Sequence, residues 1–144
     1  MPETPARTAM PDGTVLLTAG KCSFEFSRPA PSVLKIRIAG RDAGQFGPAV
    51  FDEVRLHFSG PASLELFVDA TEADGPIPDV SESWTRFFNR EAPNLKRVSI
   101  LAVSKFVHLT VSIAKLFSRT GELIQVCSNP KLFQDALAKA TARR

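Results

Sequence analysis

The stretch Leu64-Glu65-Leu66-Phe67-Val68-Asp69 decides how this chain folds. It is a short, almost continuous apolar run, with Gly60-Pro61 before it and a loop containing Gly75, Pro76 and Pro78 after it. Such a run reads as a strand, here ending at Asp69. The flanking segments keep a different period. Phe46, Val50, Val54 and Phe58 recur at steps of four, which sets them on one helix face that Phe51 widens. Pro48 sits near the start, where a missing N–H costs little, and Gly60-Pro61 stops the helix. Downstream, Asp79 with Glu82 three residues later has the look of a capping box. Trp84, Phe87 and Phe88 line the helix behind it, and Pro93 ends that helix. A strand held between two helices needs crossover connections, and crossovers make parallel neighbours.

Working outward, the alternation continues. Val98 to Val103 is nearly all apolar, as suits a central strand covered on both faces. Ser104 can cap a helix to about Ser118, which Gly121 terminates. Leu123 to Val126 is a further strand, and Asn129-Pro130 opens a last helix to about Ala140 with Leu132, Phe133, Ala136 and Leu137 inward. Before the first helix lie three strands: Thr14 to Ala19, Cys22 to Phe26, and Val33 to Ile38, which stops at Gly40. Arg28-Pro29-Ala30-Pro31 is the turn between the last two. The expected fold class is α/β: a mixed, mainly parallel sheet of about six strands with four helices. Residues 1–13 hold Pro2, Pro5, Pro11 and Gly13 with almost nothing large and apolar, and read as a disordered tail. Residues 14–144 then form a single domain, within the usual size range.

This order of elements resembles the STAS domain and the wider SpoIIAA-like fold. Leu66-Phe67-Val68-Asp69-Ala70-Thr71 is similar to the third strand and following Asp-x-Ser/Thr of anti-sigma-factor antagonists. Arg97 to Val103 followed by Ser104-Lys105-Phe106 looks like that fold's next strand and helix, and Trp84-Thr85-Arg86-Phe87-Phe88 is similar to the helix that precedes it. The likeness covers roughly Val33 to Ala140. It implies a bacterial, cytoplasmic, non-enzymatic module that docks a regulatory protein partner, with phospho-switching at the loop after the central strand. The phosphorylated position would be Thr71 by sequence offset, or Ser81 or Ser83 by position at the helix start. This chain departs from the phosphorylatable pattern in its loop, since Thr71 leads into the longer, acidic Glu72-Ala73-Asp74-Gly75-Pro76-Ile77-Pro78.

The residues support the same surface on their own terms. Open α/β sheets place ligands at the C-terminal ends of strands, which singles out Asp69 against the alternative of a plain loop cap. Ser81 and Ser83 lie by a helix N-terminus, where orphan N–H groups and the dipole favour a phosphate; the alternative is solvated capping residues. Catalysis finds little. Ser104 and Lys105 are adjacent but face different ways on a helix, so a hydrolase around Ser104 ranks last. No Gly-rich phosphate loop occurs and no cofactor is expected. His57 and His108 stand far apart without a ligand cluster, so no metal is expected, and both are read as helix-surface residues. Cys22 and Cys127 form no CxxC and read as small buried residues of a reducing compartment. No apolar stretch approaches a membrane span of about 20 residues.

The segment from Ser104 to Ser118 raises a second possibility. At about 100° per residue, Lys105, His108, Ser112, Lys115 and Arg119 form a basic stripe about 80° wide, and apolar residues fill about 220°. The excess around Val107, Val111 and Ala114 must meet a neighbouring helix, a second copy of the chain, or an apolar ligand. A carrier of a small apolar ligand or lipid would use a pocket between helices lined by Trp84, Phe88, Phe106 and Val107. Core packing is the competing account of the Trp84-Phe87-Phe88 cluster. The net charge of +3 is too small to argue for nucleic acid, but it conceals segregation. Residues 41–94 carry four basic and ten acidic side chains, and residues 95–144 carry nine basic and two acidic. Such opposed ends suit a charged protein partner or a homodimer.

Overall fold

A computed structural model of the chain describes residues 5–74, 78–103 and 123–142. Among the described residues, seven strands form one sheet: β1 (Ala6–Ala9), β2 (Val15–Ala19), β3 (Cys22–Ala30), β4 (Val33–Gly40), β5 (Leu64–Ala73), β6 (Leu95–Leu101) and β7 (Ile124–Cys127). Three α-helices accompany them: α1 (Ala49–Arg55), α2 (Pro78–Glu91) and α3 (Pro130–Ala142). The helix expected over Ser104 to Ser118 lies outside the described residues. The strands lie side by side in chain order. β1 to β4 form an antiparallel meander, and β4, β5, β6 and β7 run parallel. The class is the one expected, a mixed α/β sheet.

Sequential order fixes the layers. Right-handed crossovers that keep advancing in one direction return on the same side of the sheet. Accordingly α1 and α2 share one face, where Phe46, Val50, Val54, Phe87 and Phe88 pack on Phe24, Phe26, Leu34, Ile36, Leu64, Leu66 and Val68. The alternate side chains point the other way. Val33, Phe67 and Leu101 meet Phe133, Leu137 and Ala140 of α3. Every residue from Leu64 to Val68 is therefore buried, which is why β5 reads as an unbroken run instead of an alternating one.

Several boundaries differ from expectation. Residues 6–9, expected within a disordered tail, form β1. All four are exposed, so no apolar pattern could announce this strand. Its hold is the backbone ladder to β2 and an ion pair from Arg7 to Glu53 on α1. The Arg28-Pro29-Ala30 part of the expected turn belongs to β3, which reaches Ala30 across an irregular register. α1 covers only Ala49–Arg55, although Phe46 and Phe58 still pack on the expected face. Gly44 and Gly47 adopt positive φ before it, and i→i+3 turns at His57 and Phe58 unwind its end. The expected capping box at Asp79 does not form. The helix already begins at Pro78, which places Asp79 in its first turn, and Glu82 pairs with Arg86. On α3 the inward residues are Phe133, Leu137 and Ala140, while Leu132 is 61 % exposed and Ala136 is also exposed. Asn129 caps this helix through the Lys131 N–H at 2.9 Å.

The two helices on the shared face are joined by rings and one polar network. Trp84 meets Phe51 edge-on at 4.8 Å and Phe88 at 5.5 Å. Arg55 lies over the Phe87 ring at 5.3 Å and donates to Glu91 at 2.9 Å and to Asp52 at 2.9 Å. Glu91 is nearly buried, and its second oxygen accepts from Asn94 at 3.1 Å. A desolvated carboxylate is tolerable there because both of its oxygens are occupied.

Candidate functional site

β6 stops at Leu101, opposite Asp69 of β5. β5 continues for four residues, Ala70 to Ala73, paired on one side by β4. The strand expected to end at Asp69 is thus longer, and its last part runs on past the end of β6 while staying paired with β4. The continuation carries a bulge. Arg37 pairs with Asp69 but Ala39 pairs with Glu72, so three residues of β5 span two of β4. The cause is local. One Asp69 carboxylate oxygen accepts from the Thr71 N–H at 3.0 Å and from the Thr71 hydroxyl at 2.7 Å. Asp bonds readily to the backbone two residues on, and that bond turns the chain within the strand. Beyond the bulge, Glu72 pairs with Arg37 of β4, and the Asp74 N–H donates to the Gly40 carbonyl at 3.0 Å. Glu72 above all, with Asp69 and Glu25 further off, holds the Arg37 guanidinium firmly charged.

The structure brings Asp69 and Thr71 into direct contact. Ser81 and Ser83 lie on α2, and no hydrogen bond among the described residues joins them to Asp69 or Thr71. The three hydroxyls differ. Thr71 Oγ1 donates to a carboxylate. Ser81 Oγ is buried and has no hydrogen-bond partner among the described residues. Ser83 Oγ donates to the Asp79 carbonyl at 3.0 Å and accepts from Arg86 Nη2 at 3.3 Å, on the solvent side of the helix. Arg86 also pairs with Glu82 at 2.9 Å.

The remaining candidates divide. Trp84 and Phe88 pack on the ring cluster of the core. Phe106, Val107 and Val111, together with the basic stripe Lys105, His108, Lys115 and Arg119 and the residue Ser104, lie outside the described residues. Both cysteines are free thiols. Cys22 is buried, and burial above all, with Asp42 adding to it, pushes its pKa up to about 12, so it is an inert thiol. His57, read as a helix-surface residue, is instead half-buried just beyond α1, with Nε2 at 4.0 Å from Glu53. Glu53 and Arg7, a buried acid and its distant partner, carried no sequence signal, since 46 positions separate them. The Glu82–Arg86 pair could have been read from its i, i+4 spacing.

With this geometry in hand, comparisons place the fold. No protein-family model matches the chain, and no curated protein sequence matches it. Solved structures do. An uncharacterized protein of the DUF3478 family with a SpoIIAA-like fold, from Shewanella loihica PV-4, superposes with a TM-score of 0.56 at 16% identity, covering 81% of this chain and 93% of that one. An anti-sigma factor antagonist from Mycobacterium paratuberculosis superposes with a TM-score of 0.59 at 9% identity, covering 91% of this chain and 99% of that one. The fold is STAS/SpoIIAA-like.

Proposed function

We propose that this chain is a non-enzymatic regulatory module of the STAS type, acting in a bacterial cytoplasm by docking a protein partner at the projecting end of β5 and the start of α2. The observation that carries this reading is the β5 extension. It sets Thr71 and Glu72 past the end of β6, with Asp69 at the last pair, and fixes them through a bulge, an Asx contact and the Arg37 pair. Such preorganised polar groups at the C-terminal end of a parallel strand suit recognition. The likeness to an anti-sigma factor antagonist supports the class of role. Two free cysteines fit a reducing compartment.

Among the three hydroxyls, Ser83 is the best phospho-acceptor. Phosphate on Thr71 would stand against the Asp69 carboxylate, and Ser81 Oγ is buried. Phosphate on Ser83 would draw Arg86 from Glu82 and add charge beside Asp79 and Glu82. Ser83→Glu is therefore expected to weaken partner binding by about tenfold, or about 1.4 kcal/mol, with Ser83→Ala close to wild type. Asp69→Ala is expected to weaken the same binding and to cost about 1 kcal/mol of stability through the two lost hydrogen bonds. Titration of the captured partner against each variant, beside urea unfolding, checks both. Equal affinity for wild type, Ser83→Glu and Asp69→Ala would remove the site from the function.

The carrier reading draws less support. Trp84, its central residue, is occupied by Phe51, Phe87 and Phe88. Native mass spectrometry of gently purified protein separates the two: a retained apolar ligand at one per chain favours the carrier.

A further inference from the structure

β1 is an unusual edge strand. It contributes no buried side chain, and its only side-chain tie among the described residues is Arg7, whose Nε lies 2.8 Å and Nη2 3.4 Å from the Glu53 carboxylate. Glu53 is 5 % exposed, so this carboxylate needs a cation beside it. A second candidate waits on its other side. His57 Nε2 lies 4.0 Å from Glu53 Oε2, is itself buried, and has no hydrogen-bond partner among the described residues. The charged groups acting on His57 are Glu53 from α1 and Arg28 from β3, with Arg7 of β1 reaching it through Glu53.

We infer that β1 is a proton-linked strap: Arg7 and protonated His57 compete to neutralise Glu53, so that acidification favours release of β1 from the edge of β2. The sign follows from the two states. With β1 docked, Arg7 neutralises Glu53, and burial first, then Arg28, holds the His57 pKa below the ordinary histidine value. With β1 released, Glu53 loses its cation and attracts a proton to His57, raising the histidine's affinity for it. Linkage then requires release to become easier as pH falls through the His57 range. Each unit by which the His57 pKa rises on release multiplies the opening constant about tenfold once the histidine is charged. Release also turns β2 into the sheet edge and unpairs its outward backbone groups. This inference is independent of the docking site at β5.

Hydrogen exchange of the β1–β2 amides, corrected for intrinsic rates and followed from about pH 7.5 to about pH 5, tests it. The expected result is an opening constant that rises about tenfold in wild type and stays flat in His57→Gln. In parallel, the His57 pKa read by NMR is expected to rise by about one unit in Arg7→Gln. A pH-independent opening constant, or an equal rise in His57→Gln, would overturn the inference. If His57→Gln does not fold, the titration of His57 in wild type and Arg7→Gln decides alone, and an unchanged pKa refutes it.

Discussion

Phe67→Ala is expected to lower the free energy of unfolding by about 3–5 kcal/mol. Phe67 is fully buried at the centre of β5, on the face opposite α1 and α2. Its ring meets Phe133 edge-on, with centroids 5.7 Å apart. The buried residues of α3 on this face are Phe133, Leu137 and Ala140. Removing Phe67 thus takes away the surface on which the helix rests and leaves a cavity that neighbouring strands cannot fill by collapsing, because the ladder holds them. A domain with about 5–15 kcal/mol in total has little to spare. Amides of α3 should lose protection well before those of β4 to β6. Urea unfolding checks the size, and a loss below about 1 kcal/mol would show that α3 is held by something else.

Gly40→Ala is expected to cost about 3 kcal/mol, far more than its one added methyl suggests. Gly40 ends β4 at φ +86°, and a Cβ there would lie 2.2 Å from the Lys21 carbonyl oxygen and 3.1 Å from the Cys22 Cα. Both obstacles are backbone, so the end of β4 must part from the β2–β3 hairpin. The Gly40 carbonyl also accepts from the Asp74 N–H, so the displacement reaches the projecting end of β5. Gly13 supplies the control. Its φ is +91°, yet nothing lies within 4 Å of where an added methyl would stand, so Gly13→Ala should cost only the left-handed strain of about 1–2 kcal/mol. Equal losses at the two sites would remove the steric argument.

The pattern of the sequence carried much of this fold and less of the site. The run at Leu64 to Val68 and the four-residue steps from Phe46 to Phe58 express burial, and burial is what periodicity reports. Their ends are set by other forces. β5 outlasts its apolar run because Asp69 bonds Thr71 and bulges the strand. α1 falls short because Gly44 and Gly47 take positive φ. β1 has no buried residue to announce it, and its Arg7 anchor lies on a helix 46 positions away. Part of the acidic character of residues 41–94 is likewise spent inside the fold, where Glu53 and Glu91 meet Arg7 and Arg55. What remains to face a partner is nearer Glu72, Asp74, Asp79 and Glu82. The distinction between the buried Ser81 hydroxyl and the Ser83 hydroxyl bonded to Arg86 needs the direction each points on α2, which helix spacing alone leaves open.

Site-specific photo-crosslinking in cells tests the docking role most directly. A photoreactive residue replacing Glu72 or Ser83 samples the proposed surface, and one replacing Lys131 on α3 samples a remote one. The expected result is a discrete protein adduct from the first two positions that disappears with Asp69→Ala and is absent from the third. No adduct from Glu72 or Ser83, or the same adduct from Lys131 with no effect of Asp69→Ala, would contradict a partner-docking role for the end of β5.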